Sequence, residues 1–238
     1  MFDLTNRTAL VTGAGQGMGL GIAKALASAG AKVYVNDIRE ARAKQGAVEA
    51  GGIALPGDIT KASIRQSFKN KIGQLDILVN NAGVPEGMPT SIAHADKVSE
   101  ESYQKQMELN HIAVRKLCDI FVPDMRTRAH GRVLIISSEA HRMGVSMGLT
   151  HYAAAKAASL GYMRALAAEV GRDGVTVNAL SLGAMNNFEG HERSAMGTLI
   201  GRAGTPQDVG AAALYLCSDE ASWMTGQTIA LNGGASTA

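Results

Sequence analysis

The stretch Thr8-Ala9-Leu10-Val11-Thr12-Gly13-Ala14-Gly15-Gln16-Gly17-Met18-Gly19 decides the fold. A short apolar run leads into glycines at every second position from Gly13 to Gly19, and an amphipathic pattern follows that reads as a helix over residues 17–29. Glycines permit a tight turn and let the backbone approach a ligand closely. A helix starting at Gly17 aims unpaired N–H groups and its positive dipole end at the turn, a setting for a pyrophosphate. The G-x-G-x-x-G spacing does not fit, because the sixth position from Gly13 is Met18; the spacing that fits is T-G-x-x-x-G-x-G. A turn that merely packs strand on helix is the alternative. The position at the first strand-to-helix junction favours phosphate binding, so Gly13, Gly15, Gln16, Gly17, Met18 and Gly19 are candidate cofactor residues.

Outward from this turn the same unit repeats. Residues 8–11, 32–35, 52–55, 75–79, 132–136, 175–180 and 228–231 read as strands. Residues 17–29, 39–49, 62–72, about 100–127 and 207–217 read as helices, with another running through Tyr152 to about residue 172. Residues 186–205 read as irregular or weakly helical. Strands such as Ile77-Leu78-Val79 and Val133-Leu134-Ile135-Ile136 are apolar without alternation, so both their faces should be covered. The pattern predicts an α/β fold, a doubly wound Rossmann-type domain with a mostly parallel seven-stranded sheet and helices on both faces. With no linker, repeat or low-complexity segment, residues 1–238 read as one domain.

The 23 basic and 21 acidic residues balance to +2, with no basic run, which argues against nucleic acid or a membrane surface as partner. Cys118 and Cys217 are isolated and make neither a disulfide framework nor a metal spacing. No apolar run is long enough to span a membrane, and no signal peptide is visible, so the cytoplasm is the expected location.

Two further features bear on chemistry. The second strand ends Val35-Asn36-Asp37-Ile38, and a carboxylate about 20 residues past the glycines suits the two ribose hydroxyls of an adenosine. It would repel a 2′-phosphate, and Ile38 and Gln16 are not basic, so NAD is favoured over NADP; Arg39 lies nearby, and Asp37 could instead cap the next helix. Asp58 and Ile59, after the third strand, could hold an adenine through the carboxylate and adjacent backbone, or Asp58 could cap a helix. Tyr152 and Lys156 lie four apart in a helical pattern and share a face. A cation beside a phenol favours the phenolate, and a three-unit fall in its pKa needs roughly 4 kcal/mol. The expectation is therefore a Tyr152 whose pKa is lowered toward neutrality by Lys156.

Together the glycine turn, Asp37, Asn80-Asn81-Ala82-Gly83 and Tyr152-x-x-x-Lys156 resemble the short-chain dehydrogenase/reductase family over about residues 4–234. The closing stretch from Thr225-Gly226-Gln227 to Leu231-Asn232-Gly233-Gly234 is similar to that of 3-oxoacyl-carrier-protein reductases and of sugar or cyclic-alcohol dehydrogenases. The resemblance implies Ser138 as the residue that hydrogen-bonds the substrate oxygen, with Ser137 its rival. It implies Tyr152 as acid/base, Lys156 as the residue that holds the nicotinamide ribose and tunes Tyr152, and Asn110 as the helix Asn of a proton relay. Asn81, Ala82 and Gly83 would floor the cofactor site. No metal is implied. A homotetramer is implied, with residues 100–127 and the Tyr152 helix packing on their copies; Ala153, Ala154, Ala157, Ala158 and Gly161 allow close approach.

The sequence departs from the family pattern after the sixth strand. Leu182-Gly183 stands where Pro-Gly is usual, and Asn187 stands where a Thr usually orients the nicotinamide amide; Gly183 and Asn187, or Asn186, are the candidates for that grip. Glu139 and His141 are unusual so close to Ser138 and read as pocket lining or as surface loop; His151 reads as structural. Met143, Met147, Met185, Phe188 and Met196 read as flanking the pocket or as plain core. The expected activity is NAD-dependent hydride transfer on a secondary alcohol or ketone. The rivals are an NADPH-dependent 3-oxoacyl ketoreductase, a catalytically inactive dinucleotide-sensing regulator, and a fold relative with lyase or dehalogenase chemistry.

Overall fold

The computed structural model describes residues 1–85, 93–144, 148–187, 192 and 195–237. Seven strands form one sheet: β1 (Thr8–Val11), β2 (Lys32–Asp37), β3 (Ile53–Pro56), β4 (Ile77–Asn80), β5 (Gly131–Ser138), β6 (Val175–Leu182) and β7 (Thr228–Leu231). Their spatial order is β3-β2-β1-β4-β5-β6-β7, and every pairing is parallel. The described helices are α1 (Gly17–Ser28), α2 (Glu40–Ala50), α3 (Ala62–Ile72), α4 (Glu100–Met107), α5 (Ala113–Thr127), α6 (Thr150–Val170) and α7 (Pro206–Cys217).

The continuous apolar strands are explained by two cores, one on each side of the sheet. Ala9, Val11, Val35, Val79, Leu134 and Ile136 face α1 and α7. Leu10, Tyr34, Leu78, Val133 and Ile135 face the layer of α3, α5 and α6. Successive strand residues thus alternate between two buried faces. The chain moves outward from β1 to β3 on one side and from β4 to β7 on the other. The carboxyl ends of β1 and β4 therefore flank the point where strand order reverses, where open α/β sheets form a ligand crevice.

Three differences from the expected elements matter for that crevice. β2 continues through Asn36 and Asp37, because both pair with β3 at Leu55 and Pro56. β5 and β6 each run two residues further than their apolar cores, since Ser137 and Ser138 pair with Ser181 and Leu182. The helix expected as one piece over residues 100–127 is interrupted by a π turn, Glu108–Ile112, in which the Ala113 N–H bonds back to the Glu108 carbonyl. None of the described helices is long and apolar enough to cross a membrane.

Candidate active site

The glycine turn is built by its neighbours. Thr12, wholly buried at the end of β1, accepts from the Asn81 and Ala82 N–H groups at 2.9 and 3.1 Å through its hydroxyl. Asn81 Nδ2 donates back to the Thr12 and Gly13 carbonyls at 2.8 and 3.0 Å. The ends of β1 and β4 are so laced together that a side chain at Gly13, which sits at φ +61°, would meet Ala82 Cα at 2.8 Å. Gly83 is equally confined: a Cβ there would lie 3.0 Å from both Asn110 Oδ1 and Lys156 Nζ. Asn81, Ala82 and Gly83 thus line the floor beneath the turn.

The N-terminus of α1 has no side-chain cap, and its first turn carries no acidic residue. Gly17, at φ +58°, faces open space where a Cβ would stand. An unneutralised helix dipole beside a backbone cradle fits an anionic phosphate group. Asp37 is buried at the end of β2, and its Oδ2 would lie 2.7 Å from a Cβ on Gly15, so its carboxylate borders the turn. Its Oδ1 accepts the Arg39 N–H at 3.0 Å, so Asp37 also braces the entry to α2. These features together fit a dinucleotide.

Asp58 is committed to local structure, its Oδ1 accepting the Thr60 N–H and hydroxyl at 2.9 and 2.7 Å. The Ile59 side chain is in the core and its carbonyl accepts Arg65 Nη1 at 2.7 Å, so what it offers a ligand is backbone. Gly183 donates its N–H to the Leu231 carbonyl at 3.1 Å and lies so close to Asn232 that a Cβ would approach Asn232 Cα to 2.7 Å. Asn186 and Asn187 are exposed beyond the end of β6.

At the carboxyl end of β5, strand alternation sends Ser137 and Ser138 to opposite faces. Ser137 is buried with an unpartnered hydroxyl, whereas the Ser138 side chain faces the Tyr152 phenol and acts to lower its pKa. Ser138, not its rival, therefore shares the crevice with Tyr152. Lys156 Nζ donates to the Ile136 carbonyl at 2.7 Å and lies 5.7 Å from the centre of the Tyr152 ring. Asn110, in the π turn, donates from Nδ2 to the Gly83 carbonyl at 3.1 Å and to Gln106 Oε1 at 2.8 Å. Its carbonyl accepts the Ser159 hydroxyl at 2.5 Å, and its buried Oδ1 has no partner. The turn explains this Asn inside a helical run, because a shift to wider backbone bonding frees a carbonyl for a side-chain donor.

The electrostatics differ from expectation. Burial pushes the Tyr152 phenol above its usual range, and the nearby Ser138 hydroxyl offsets only part of the rise. Burial pushes Lys156 down to about 8. In the ligand-free chain the direction is thus opposite to the expected acidic phenol, because burial of the phenol itself outweighs the help of its neighbours. Desolvation penalises the charged form of each group separately.

Glu139 is not on a surface loop. It is buried; its Oε2 accepts Arg142 Nη2 at 2.9 Å, Asn232 Nδ2 at 2.9 Å and the Ser236 hydroxyl at 3.1 Å. His141 Nδ1 lies 2.7 Å from the Ser138 carbonyl, and His151 is buried, its pKa lowered by desolvation, as suits a structural role. Met185 packs in the core and Met196 is exposed; Met147 and Phe188 lie outside the described residues. Sequence reading missed Thr12, Gln106, Ser159 and the Asn232–Ser236 contacts. Ser159, three residues past Lys156 in an Ala-rich helix, carried a usable signal; Asn232 and Ser236 sit 93 and 97 residues from Glu139 and carried none.

The family model described as Enoyl-(Acyl carrier protein) reductase matches residues 13–236. The 7alpha-hydroxysteroid dehydrogenase of Escherichia coli (strain K12) is 34% identical over 97% of this chain and 94% of its own length. The 3-oxoacyl-[acyl-carrier-protein] reductase FabG of the same strain is 34% identical over 96% of each chain. Among solved structures, a 3-oxoacyl-[acyl-carrier protein] reductase with bound NAD from Brucella melitensis superposes with a TM-score of 0.92 at 27% identity, covering 100% of this chain and 94% of that one.

Proposed function

The chain belongs to the short-chain dehydrogenase/reductase family, and on that premise we propose that it is an NAD-dependent oxidoreductase acting on a secondary alcohol or ketone, of the sugar, polyol or cyclic-alcohol class. The supporting observation is the meeting of Ser138, Tyr152, Lys156 and Asn110 around the carboxyl end of β5, beside the dinucleotide-shaped turn. In this reading Gly13, Gly15, Gln16, Gly17, Met18 and Gly19 hold the pyrophosphate, Asp37 the adenosine ribose, and Asp58 and Ile59 the adenine edge. Asn81, Ala82, Gly83, Gly183 and Asn187 border the nicotinamide half. The bound nicotinamide supplies the hydride chemistry.

The chain's own residues manage the proton. With its pKa raised by burial, the Tyr152 phenol is protonated at neutral pH and ready to donate to a ketone oxygen. Ser138 donates to the same oxygen and steadies its developing charge. In the oxidative direction Tyr152 must first lose its proton. Lys156 stabilises the resulting phenolate, and that phenolate in turn stabilises the buried ammonium, so the two titrate as a pair. Asn110 Oδ1, buried near Lys156 and without a protein partner, is placed to receive a water on the path to solvent.

A homotetramer in the cytoplasm completes the reading. Ala157 and Gly161 are exposed along α6, leaving a shallow face for a copy, and both cysteines are free thiols. An NADPH-dependent 3-oxoacyl ketoreductase is the second reading, favoured by the relative named FabG and by Arg42, whose Cβ lies at the turn beside Asp37. An inactive regulator finds no support in relatives named as dehydrogenases and reductases. The test is absorbance at 340 nm with NAD or NADP across alcohols, and with their reduced forms across ketones. Tyr152→Phe should lower turnover by orders of magnitude while dinucleotide binding persists; near-full activity in that variant would reject the assignment.

A further inference from the structure

Glu139 is a buried charge that the hydride-transfer scheme leaves unused. It directly follows Ser138, and its side chain is 6% exposed. Arg142, in the same short turn, donates to its Oε2 from Nε at 3.1 Å and from Nη2 at 2.9 Å. Two further donors come from near the end of the chain: Asn232 Nδ2 at 2.9 Å and the Ser236 hydroxyl at 3.1 Å. Arg142 Nη2 and Asn232 Nδ2 also reach the Ser236 hydroxyl, at 2.7 and 3.1 Å, which closes the cluster. Asn232 is at the same time the residue against which Gly183 packs, with no room for a side chain between them. Its Oδ1 accepts the Gly234 N–H at 2.9 Å. One asparagine thus touches the carboxyl ends of β5, β6 and β7.

Resting on the oxidoreductase reading, we propose that Glu139 is a positioning residue: its clamp on Asn232 and Ser236 fixes the end of β5 so that Ser138 faces Tyr152, and makes the last residues of the chain part of the catalytic frame. Three features carry this. The turn after β5 is held at both ends, by the Ala140 N–H on the Ser138 hydroxyl at 3.3 Å and by the Arg142 and Met143 N–H groups on the Glu139 carbonyl at 3.1 and 2.9 Å. A carboxylate buried this deeply is retained only with charged or multiple donors. Burial alone would raise its pKa, yet Ser181, Arg142, Asn232 and Ser236 together hold it below the ordinary value, so it is the ionised form that binds the tail.

The test compares Glu139→Gln, Ser236→Ala and the double variant in the 238-residue chain. Hydrogen exchange is read at Ala140, Arg142 and Met143, turnover with the best alcohol from the 340 nm panel, and NAD affinity by calorimetry. Glu139→Gln is expected to speed exchange at these amides and lower kcat about tenfold, equivalent to about 1.4 kcal/mol in barrier, with NAD affinity unchanged. Ser236→Ala should reproduce the direction at about threefold, and the double variant should be no worse than Glu139→Gln. A role confined to stability would instead lower melting temperature and leave kcat within twofold, and that result overturns the proposal. So does unchanged exchange in Ser236→Ala, which keeps the test decisive if Glu139→Gln does not fold. Faster exchange in a protein that turns over no substrate would sink the oxidoreductase reading while leaving the clamp itself standing.

Discussion

Replacing Lys156 with Met should make the ligand-free protein more stable while abolishing turnover. Lys156 is 4% exposed, and burial lowers its pKa from 10.5 to about 8. At about 1.4 kcal/mol per pH unit, that fall makes holding the charge inside the fold cost roughly 3 kcal/mol. Methionine fills similar space without the charge but forfeits the bond from Nζ to the Ile136 carbonyl, worth about 1 kcal/mol. The net gain at pH 7 is on the order of 2 kcal/mol, a rise in Tm of roughly 4–8 °C for a chain of this length. Its pH dependence identifies the cause. Below about pH 8 the folded and unfolded wild-type chains both carry the proton, and the fold bears the whole penalty. Between about 8 and 10.5 the unfolded chain keeps a proton that the folded one has released, so wild-type stability rises with pH. The advantage of Lys156→Met should therefore shrink across that window and vanish near its top. Cys118, Cys217, Tyr162 and Tyr152 are pushed up by burial and also affect stability in alkali; the folded Tyr152, its pKa raised, keeps its proton over most of that window in both proteins, so these effects cancel in the difference. Thermal unfolding followed by circular dichroism at pH 7, 8.5 and 10 measures it. A variant less stable than wild type at pH 7, or a difference that stays flat with pH, would refute the reasoning.

Two further outcomes follow from single contacts. Ser159→Ala removes the fully buried hydroxyl that satisfies the Asn110 carbonyl in the π turn, and should cost about 1–3 kcal/mol in urea unfolding; a loss below 0.5 kcal/mol, taken roughly as the level of a neutral surface change, would mean the carbonyl finds another partner. Asp37→Ser removes the carboxylate beside Gly15 and should lower the ratio of kcat/KM for NAD over NADP by at least about tenfold, the weight of a screened like-charge contact; an unchanged ratio would show that Asp37 serves only to brace α2.

The layered fold was legible in the sequence because its causes are local. Apolar strands without alternation required two covered faces, and strand-helix repetition required parallel pairing, so seven strands could be placed before their order was known. Gly13 to Gly19 and the spacing of Tyr152 and Lys156 were equally local, since a turn or a single helix face fixes each. The ends of elements were less legible. Asn36, Asp37, Ser137 and Ser138 extend their strands only because a neighbouring strand offers partners. The π turn at Asn110 was invisible for a similar reason: its freed carbonyl is satisfied by Ser159 on another helix.

Sequence alone thus determined which chemical groups the chain brings, and in what order along a doubly wound sheet. Tertiary structure decided what those groups become. It turned Ser138 rather than Ser137 toward Tyr152, raised the pKa of a Tyr152 expected to be acidic, and buried Glu139 beneath Asn232 and Ser236. Each outcome depends on how much water remains around a side chain and on partners tens of residues away, and neither quantity is encoded in any short stretch of sequence.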